Sequence, residues 1–338
     1  MKIEKIRDAY QNFDKTISLL QTELGTSYLD ALIESGDNLL DNGHVMVENE
    51  RPTLAVKKQL EEYYERILKA ALSSEELRQV LQFALVKANQ YDRIQANHQM
   101  TPPDAIGFLV AYLIEHITDK SQTEKILDIA VGTGNLLTTI YNHLAQNGYE
   151  KLKLYGVDND DTLLAIAGMS SQLQGITAQF YHQDAVTDLV IPKMDMVVSD
   201  LPVGYYPQDK NVENFETKAQ KGHSYAHHLL IEQALLQLKP GGYAFFLVPR
   251  GLFESEEAKG LLKVIQKQGH FQGLLNLPVE LFSSQKSQKA LLLLQRRGGG
   301  AKQAAPVLLG EIPSFKEARA FSTFIQQVDD WIVKNIKN

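Results

Sequence analysis

Aspartates stand at the ends of four apolar runs in the middle of the chain, and two glycines follow the first. The aspartates are Asp128, Asp158, Asp184 and Asp200. After Asp128 come Gly132 and Gly134, and a helical pattern begins at Asn135. A strand, a glycine turn and a helix form a cofactor site at the carboxyl edge of open α/β sheets. Glycine also lets the backbone approach a ligand where a Cβ atom would collide. The spacing therefore predicts a cofactor pocket at this edge.

The glycine turn differs at one position from a turn that binds a dinucleotide. Such a turn carries Gly or Ala three residues after its second glycine, so that helix and strand pack closely. Here the residue three positions after Gly134 is Leu137. The dinucleotide interpretation is weaker for this reason, although one missing glycine does not exclude it.

The repetition of acids at strand ends around a glycine turn resembles the class I S-adenosylmethionine-dependent methyltransferases. The resemblance implies that the glycine loop lies against the methionine part of the cofactor. It also implies that Asp158 holds the ribose hydroxyls and that Asp184, or Asp188 in a shifted alignment, binds the adenine amino group. Asp128 would orient the loop or reach the cofactor, or only cap the turn. The predicted cofactor-binding residues are Thr101, Pro102, Asp128, Ala130, Gly132, Gly134, Asn135, Asp158, Asn159, Asp184 and Ala185.

Flanking segments make the resemblance more specific. Thr101-Pro102-Pro103 precedes the glycine motif, and Asp200-Leu201-Pro202-Val203 falls where amino-group methyltransferases of DNA carry Asn/Asp-Pro-Pro-Tyr/Phe. With the segments 239–249 and 277–282, these motifs resemble the adenine-specific methylation subunits of type I restriction-modification systems. The similarity covers about residues 98–296. It implies a Rossmann-like α/β fold with a seven-stranded, mostly parallel sheet whose final strand is antiparallel.

The motif at Asp200 implies a chemistry. The exocyclic amine of adenine is a poor nucleophile because its lone pair is delocalised into the ring. By resemblance, the Asp200 carboxylate and the Leu201 carbonyl accept the two amine hydrogens and stabilise the positive charge that develops during transfer. Pro202 would hold the loop rigid.

One position departs from the family pattern. The family carries there an aromatic residue that stacks on the extruded base, whereas this chain carries Val203. Tyr205 and Tyr206 follow closely, and each could supply the ring or anchor the loop. Tyr205 is counted with the predicted catalytic residues. The segment 203–222 shows no clear periodicity, and loops this long are usually functional or disordered. We hypothesise that this loop closes over the substrate pocket and is mobile without substrate.

The chain is expected to form two domains. Apolar residues recur at helical spacing in residues 1–98, which predicts an N-terminal helical domain. That domain would be either a solvated bundle packed on the catalytic domain or a docking or substrate-selecting domain. Strand and helix patterns alternate afterwards, so residues 99–338 are predicted to form the catalytic domain, with a helix over 101–118 and a C-terminal helix over 315–336.

Basic residues and histidines form two further groups. The stretch 281–302 contains no acid but carries Lys286, Lys289, Arg296, Arg297 and Lys302. It predicts either an exposed edge kept soluble by charge or a patch that contacts phosphates. His223 and His227 have a spacing that can suit a metal, but with only His228 beside them no third ligand is evident. Surface or loop-packing roles are expected instead, and no metal site is predicted.

Composition and charge restrict the class of protein. The 338 residues are 44% hydrophobic and 22% charged, as in ordinary globular proteins, and no apolar run approaches the ~20 residues that span a bilayer. The chain has no cysteine, which excludes disulfides and thiolate metal sites. Without a signal-peptide core, a cytoplasmic location is expected. The net charge of −7 is unusual for a DNA-binding protein, so a nucleic acid would need a local basic face or a basic partner.

Three functions stay open. The first is methyl transfer to the N6 amino group of adenine in nucleic acid, with DNA as the first candidate and with a specificity or protein partner. The second is methyl transfer to RNA or to a protein side-chain amide, since an amino group conjugated to a ring or a carbonyl poses the same lone-pair problem. The third is a cofactor-binding module that works by protein contact without catalysis. The length leaves little room for a target-recognition domain, so sequence-specific DNA methylation by this chain alone is not expected.

Overall fold

The N-terminal part of the protein is helical. The structure, a computed structural model, describes residues 2–91, 104–122, 124–282, 284 and 287–337. The first four helices are α1 (Lys2–Leu24), α2 (Tyr28–Leu40), α3 (Leu54–Lys69) and α4 (Ser74–Tyr91). Their apolar faces share one core, which includes Phe13, Leu32 and Tyr64. The predicted N-terminal helical domain is therefore confirmed, while its boundary at residue 98 lies outside the described residues.

Helices and strands alternate in the remainder. The helices are α5 (Asp104–Ile117), α6 (Asn135–Gln146), α7 (Asp161–Leu173), α8 (Ala226–Gln237), α9 (Ala258–Gln268) and α10 (Ala318–Asn335). The strands are β1 (Lys125–Asp128), β2 (Lys153–Asp158), β3 (Ala178–His182), β4 (Met194–Asp200), β5 (Leu238–Pro249), β6 (Gly269–Asn276), β7 (Lys289–Arg296) and β8 (Leu308–Glu311). Two short 3-10 helices cover Asp209–Val212 and Val279–Leu281.

All of these strands belong to one sheet. Their order is β3-β2-β1-β4-β5-β7-β6-β8. Only β7 runs antiparallel to its neighbours, β5 and β6, in the described sheet. The Rossmann-like, mostly parallel fold and the antiparallel insertion are therefore confirmed.

The prediction of seven strands was wrong, because β8 adds an eighth beside β6. This edge strand has only four residues, and just one of its side chains is partly buried. A segment this short shows too little alternation to be recognised as a strand.

The sheet buries both of its faces. Neighbouring residues of a strand point to opposite faces, and Phe245 and Phe246 of β5 accordingly belong to different cores. Helices α5, α6 and α10 cover one face, and α8 and α9 cover the other. Because helices cover both faces of the sheet, the side chains that can reach a ligand lie at the strand ends.

Helix α7 joins the helical domain to the sheet. Its Leu164 packs in the core over the sheet, whereas Ile166 and Met169 belong to the core of the helical domain. At Gly36 of α2, a Cβ atom would lie 2.3 Å from the Met169 sulfur, so glycine permits the close approach of α2 to α7. The helical domain is thus docked beside the carboxyl edge of β2.

The described part of the helix expected over 101–118 runs from Asp104 to Ile117. Thr101 and Pro102, predicted to bind the cofactor, lie outside the described residues. None of the helices in the described ranges combines the length and apolarity needed to cross a bilayer.

Candidate active site

A cavity of about 890 Å³ opens at the carboxyl edge of the sheet. Sites for small molecules typically have volumes of about 300–1,000 Å³. The structure brings most of the predicted residues to its wall: Asp128, Ala130, Gly132, Asn135, Asp158, Asn159, Asp184, Ala185, Asp200, Leu201, Pro202 and Tyr205. The acids come from the ends of strands that neighbour one another in the sheet, which explains their convergence.

The two glycines of the turn have different roles. Both adopt positive φ, +51° at Gly132 and +75° at Gly134, a region that favours glycine. A Cβ atom at Gly132 would meet nothing within 4 Å, so this residue leaves the cavity wall open. A Cβ atom at Gly134 would lie 3.1 Å from the Cβ of Ala167 on α7. Gly134, which was predicted to bind the cofactor, does not line the cavity and instead permits close packing of α6 against α7.

Asp158 is tied to the glycine turn. Its carboxylate accepts a 2.7 Å hydrogen bond from the Gly132 backbone N–H and a 3.1 Å bond from the Asp160 N–H. The Asn159 backbone N–H also contributes a hydrogen bond, and part of the carboxylate's roughly four acceptor positions is left for a ligand. Burial raises the pKa of Asp158. The turn and the strand-end acid therefore form one rigid unit that can still accept hydrogen bonds.

Asp128 lies beneath this unit. Its Oδ1 atom accepts hydrogen bonds from the Ala130 N–H at 3.1 Å and from the Ser199 hydroxyl at 2.7 Å. Burial, together with the charges of Asp158 and Asp200, raises the pKa of Asp128 to about 7, although the two hydrogen bonds act to lower it. The residue caps the turn, as one of the sequence interpretations proposed, and it also lines the cavity.

Asp184 holds the loop that follows β4. The Tyr206 hydroxyl donates a 2.5 Å hydrogen bond to Asp184 Oδ2, and the Val186 N–H donates to Oδ1 at 3.0 Å. Burial and the Asp184 contact raise the pKa of Tyr206 to about 12. Tyr206 is buried and is the anchor of the loop. Asp188 does not line the cavity, so Asp184 has the better position of the two candidate acids.

Tyr205 points to the cavity mouth. Its side chain is 61% exposed, and its ring stacks on that of Tyr225 with centroids 4.8 Å apart and planes inclined by 17°. The backbones of the two residues also pair as an isolated antiparallel bridge. Val203 is exposed but supplies no ring. Of the two candidate tyrosines, Tyr205 is therefore the one whose ring a substrate can reach.

The predicted catalytic residue is joined to a lysine. Lys289, the first residue of β7, donates a hydrogen bond to Asp200 Oδ1. Burial raises the pKa of Asp200, and the Lys289 charge and hydrogen bond oppose that rise. Sequence reasoning placed Lys289 only in a basic stretch. An antiparallel strand begins at the edge where the parallel strands end, and this was the signal that could have located it.

The basic stretch 281–302 does not form one patch. Lys289 lies at one end of β7 and Arg296 at the other, roughly 23 Å away at the usual rise of a strand. Arg296 bonds to the Gln268 side chain and Arg297 to the Gln266 carbonyl. Lys286 lies outside the described residues. The described basic residues of the stretch therefore lie at both ends of β7, and their contact with phosphates stays a prediction.

Buried contacts fix the loop that follows Asp200. Leu201 is buried and its N–H donates to the Leu247 carbonyl at 3.1 Å. The His227 ring is hydrogen-bonded to the Pro202 backbone, while burial and the neighbouring His228 lower the pKa of His227 to about 3. A neutral His227 thus packs under the motif. His223 is exposed and pairs with Asp209 instead. No group of side chains in the described ranges could hold a metal ion.

The helical domain contributes a wall that the sequence did not indicate. Ser27, Leu29 and Asp30, at the start of α2, line the same cavity. The Thr26 and Ser27 hydroxyls donate to the Asp30 carboxylate at 2.9 and 2.7 Å and lower its pKa. The cavity is therefore shared between the two parts of the chain.

The charged residues of the cavity wall are mostly acidic. The acidic residues that line the cavity are Asp30, Asp128, Asp158, Asp160, Asp184 and Asp200. Lys289 is the only basic residue among the described residues of the wall. Such a wall attracts a ligand that carries positive charge and disfavours the pyrophosphate of a dinucleotide.

Comparisons with known proteins give a consistent result for the whole chain. The family described as N-6 DNA Methylase matches residues 85–316, and the YtxK N-terminal helical domain matches residues 7–88. The protein YtxK of Bacillus subtilis, which is uncharacterized, is 35% identical over 336 residues, covering 99% of each chain. Both parts of the chain therefore occur together in a relative.

Two solved structures are similar. A candidate class I S-adenosylmethionine-dependent methyltransferase of Listeria monocytogenes has 40% identity and a TM-score of 0.88, covering 97% of this chain and 99% of its own. A modification subunit of a candidate type I restriction enzyme of Vibrio vulnificus has 15% identity and a TM-score of 0.62, covering 80% and 62%. The second likeness shows the fold alone.

Proposed function

This chain belongs to the N-6 DNA methylase family of class I S-adenosylmethionine-dependent methyltransferases, and we propose that it methylates the N6 amino group of adenine in nucleic acid, DNA in the first place. One observation carries the proposal: Asp200, at the end of β4, lines the same cavity as Gly132 and Asp158. A hydrogen-bond acceptor for the substrate amine and the turn proposed to bind the cofactor thus line the same cavity.

The cavity fits S-adenosylmethionine. Gly132 leaves the wall open, and Asp158 keeps acceptor positions that suit two ribose hydroxyls. The acidic wall suits the positive sulfonium. When bound, S-adenosylmethionine supplies an activated methyl group and leaves as a thioether. Asp184 is the proposed contact for the adenine amino group of the cofactor, although Tyr206 and Val186 already occupy part of its hydrogen-bonding capacity.

Asp200 performs the protein's part of the chemistry. Its Oδ2 atom accepts one hydrogen of the substrate amine, and the Leu201 carbonyl accepts the other. These two contacts would localise the nitrogen lone pair for attack on the activated methyl group that bound S-adenosylmethionine would supply. The proton then leaves the nitrogen through Asp200 to solvent. The main contributions are orientation and stabilisation of the developing charge.

The proposed nucleic acid is received at the cavity mouth. The exposed Tyr205 ring, supported by Tyr225, provides a platform for an extruded base. Because the net charge of the chain is −7, we propose that a specificity or protein partner supplies the basic surface that holds the phosphates.

A protein side-chain amide is the second candidate substrate. Val203 stands where a stacking ring would lie on the motif itself, and an amide needs no such ring. Asp200 and the Leu201 carbonyl would localise the lone pair of an amide nitrogen in the same way.

Labelled-methyl transfer tests the proposal. The full chain is incubated with labelled S-adenosylmethionine and total cellular DNA, RNA and protein, and the modified fraction is identified. Label on N6 of adenine in DNA supports the proposal. Label on N6 of adenine in RNA keeps the reaction but overturns DNA as the substrate, and label on a protein amide overturns the proposal in favour of the second candidate. Cofactor binding without label in any fraction favours a non-catalytic module, and the absence of cofactor binding overturns the assignment altogether.

An Asp200 variant isolates the catalytic role. Asp200→Ala should abolish transfer while calorimetry shows nearly unchanged affinity for S-adenosylhomocysteine. Asp188→Ala is the matched control, since Asp188 is exposed and does not line the cavity, and it should keep full activity. Equal loss of cofactor binding and turnover in Asp200→Ala would show that Asp200 contacts the cofactor instead.

A further inference from the structure

The ion pair between Lys289 and Asp200 connects two strands that are not neighbours. Asp200 ends β4 opposite Leu247 of β5, and Lys289 begins β7 opposite Pro249 of β5. Strand β7 is antiparallel, so its first residue lies at the same sheet edge as the last residue of β4. The sheet therefore places the backbones of the two residues close together at one edge.

The pair is shielded but still faces the cavity. The Lys289 side chain is 18% exposed and that of Asp200 is 16% exposed, and both line the cavity wall. The Lys289 ammonium bonds to Oδ1 of Asp200. Within the part of the chain that the structure describes, Oδ2 of Asp200 has no hydrogen-bond partner. One carboxylate oxygen is held, and the other is available to a substrate.

We infer that Lys289 is the positioning residue of the proposed catalytic carboxylate. The inference rests on the proposed function, because it assumes that Asp200 Oδ2 accepts the hydrogen of the substrate amine. Lys289 restrains rotation of the carboxylate by holding Oδ1, and so presents Oδ2 to the amine. It also keeps Asp200 ionised, which is the state in which both oxygens are acceptors.

The surrounding charges make this second role necessary. Asp128 at the end of β1 faces Asp200, and Asp158 and Asp184 line the same cavity after β2 and β3. Burial favours a protonated Asp200, and so does a negative charge on any of these neighbouring acids. Lys289 is the opposing cation that these described elements provide. Without Lys289, Asp200 would take up a proton at higher pH and would lose an acceptor.

A titration tests the inference without any substrate. The Asp200 carboxyl resonance is followed by 13C NMR against pH in the full chain, with Asp200→Asn to assign it. Lys289→Met should raise the midpoint by about 1–3 pH units, the usual effect of a close opposite charge. Lys289→Arg keeps the cation and should stay near wild type. An unchanged midpoint in Lys289→Met would overturn the inference.

A second lysine–aspartate pair, whose aspartate also lies on β4, provides a matched control. Lys239 pairs with Asp195 at 2.5 Å, at the opposite end of β4 from Asp200. Lys239→Met also removes a paired lysine, but it should leave the Asp200 midpoint where it is. If Lys239→Met moves the midpoint as far as Lys289→Met does, the effect is one of net charge and the positioning role is refuted.

Kinetics on the substrate found by methyl labelling complete the test. Lys289→Met should lower kcat by about 10- to 100-fold at neutral pH, shift the acid limb of the kcat profile upward, and leave the KM for S-adenosylmethionine unchanged. Lys289→Arg should recover most of the rate. Wild-type kcat and an unmoved acid limb in Lys289→Met would refute the inference while leaving the proposed function intact. Conversely, the NMR shift without any methyl transfer by the wild type would refute the proposed function, and the effect of Lys289 on the Asp200 charge would stand without a catalytic role.

Discussion

Arg78, on helix α4, donates a 2.9 Å hydrogen bond to the side chain of Asn135, the first residue of the helix after the glycine turn. The same guanidinium pairs with Glu75 at 2.7 Å and with Asp104 of α5 at 2.9 Å. Arg78 is only 1% exposed. The helical domain, α5 and the proposed cofactor turn are therefore joined through one buried cation. Asn135 lines the cavity as expected for a cofactor ligand, but its side-chain oxygen already serves this network.

Loss of the Arg78 cation should destabilise the protein strongly. Arg78→Met leaves Glu75 and Asp104 without their partner, and breaking a buried pair from one side typically costs about 3–5 kcal/mol. The midpoint of urea unfolding of the full chain measures the loss. Lys69→Met is the control, because the Lys69–Glu65 pair is exposed and such pairs contribute little. An Arg78→Met midpoint equal to that of the control would show that the network does not join the two parts.

Cofactor affinity should depend on Asp158. Asp158→Asn keeps the shape of the side chain but removes the charge from the proposed ribose acceptor. Hydrogen bonds to charged groups contribute about 1.5–3 kcal/mol, so the affinity for S-adenosylhomocysteine should fall by about 10- to 100-fold. Calorimetry measures it, with Asp161→Asn, an exposed acid at the start of α7, as the control. Binding of NADH in place of S-adenosylhomocysteine by the wild type would contradict the cofactor assignment.

The convergence of Asp128, Asp158 and Asp200 was predictable because each ends an apolar run, and parallel strands end at one edge. Side-chain contacts between distant segments could not be predicted. The Lys289–Asp200 contact spans 89 positions and the Tyr206–Asp184 contact spans 22, and no periodicity encodes either. Only the antiparallel direction of β7, which the resemblance implies, indicated that Lys289 lies at the same edge of the sheet as Asp200.

The missed parts of the fold have a similar cause. Strand β8 pairs with β6 through main-chain contacts, and its short sequence has no alternating pattern. The turn at Ser27 reaches the cavity only because α2 docks on α7, where Gly36 meets Met169. Domain docking is decided by tertiary packing, which local sequence patterns do not specify.

The ring of Tyr205, and not its hydroxyl, should matter for turnover. Tyr205→Phe keeps the stack on Tyr225 and should preserve most activity. Tyr205→Ala should reduce turnover by about 10- to 100-fold, since stacking of a base on an aromatic side chain contributes about 1–3 kcal/mol. Tyr205→Leu is the matched control for bulk without a ring and should resemble the alanine variant. Unaltered turnover in Tyr205→Ala would make an extruded base an improbable substrate.

Burial of Asp128 should make stability depend on pH. Its pKa is raised from 3.8 in the unfolded chain to about 7 in the folded protein. Below about pH 4 the group is protonated in both states and carries no penalty. As the pH rises from 4 to 7, the unfolded chain releases the proton while the folded protein retains it, so this group lowers the stability progressively. Asp128→Asn cannot ionise, and it should therefore gain stability relative to wild type across this window, by up to about 4 kcal/mol.

Urea unfolding at a series of pH values measures the difference between Asp128→Asn and wild type. Ser199→Ala is the companion variant, because the Ser199 hydroxyl donates to Asp128 Oδ1 and lowers its pKa. Removing that hydroxyl should extend the loss of stability to higher pH, whereas Asp128→Asn should abolish it. A difference between Asp128→Asn and wild type that is constant from pH 4 to 8 would mean that Asp128 is ionised in the folded protein. Asp128 would then add its negative charge to the cavity wall before any cofactor binds, and the attraction for a sulfonium would be stronger than the burial of Asp128 implies.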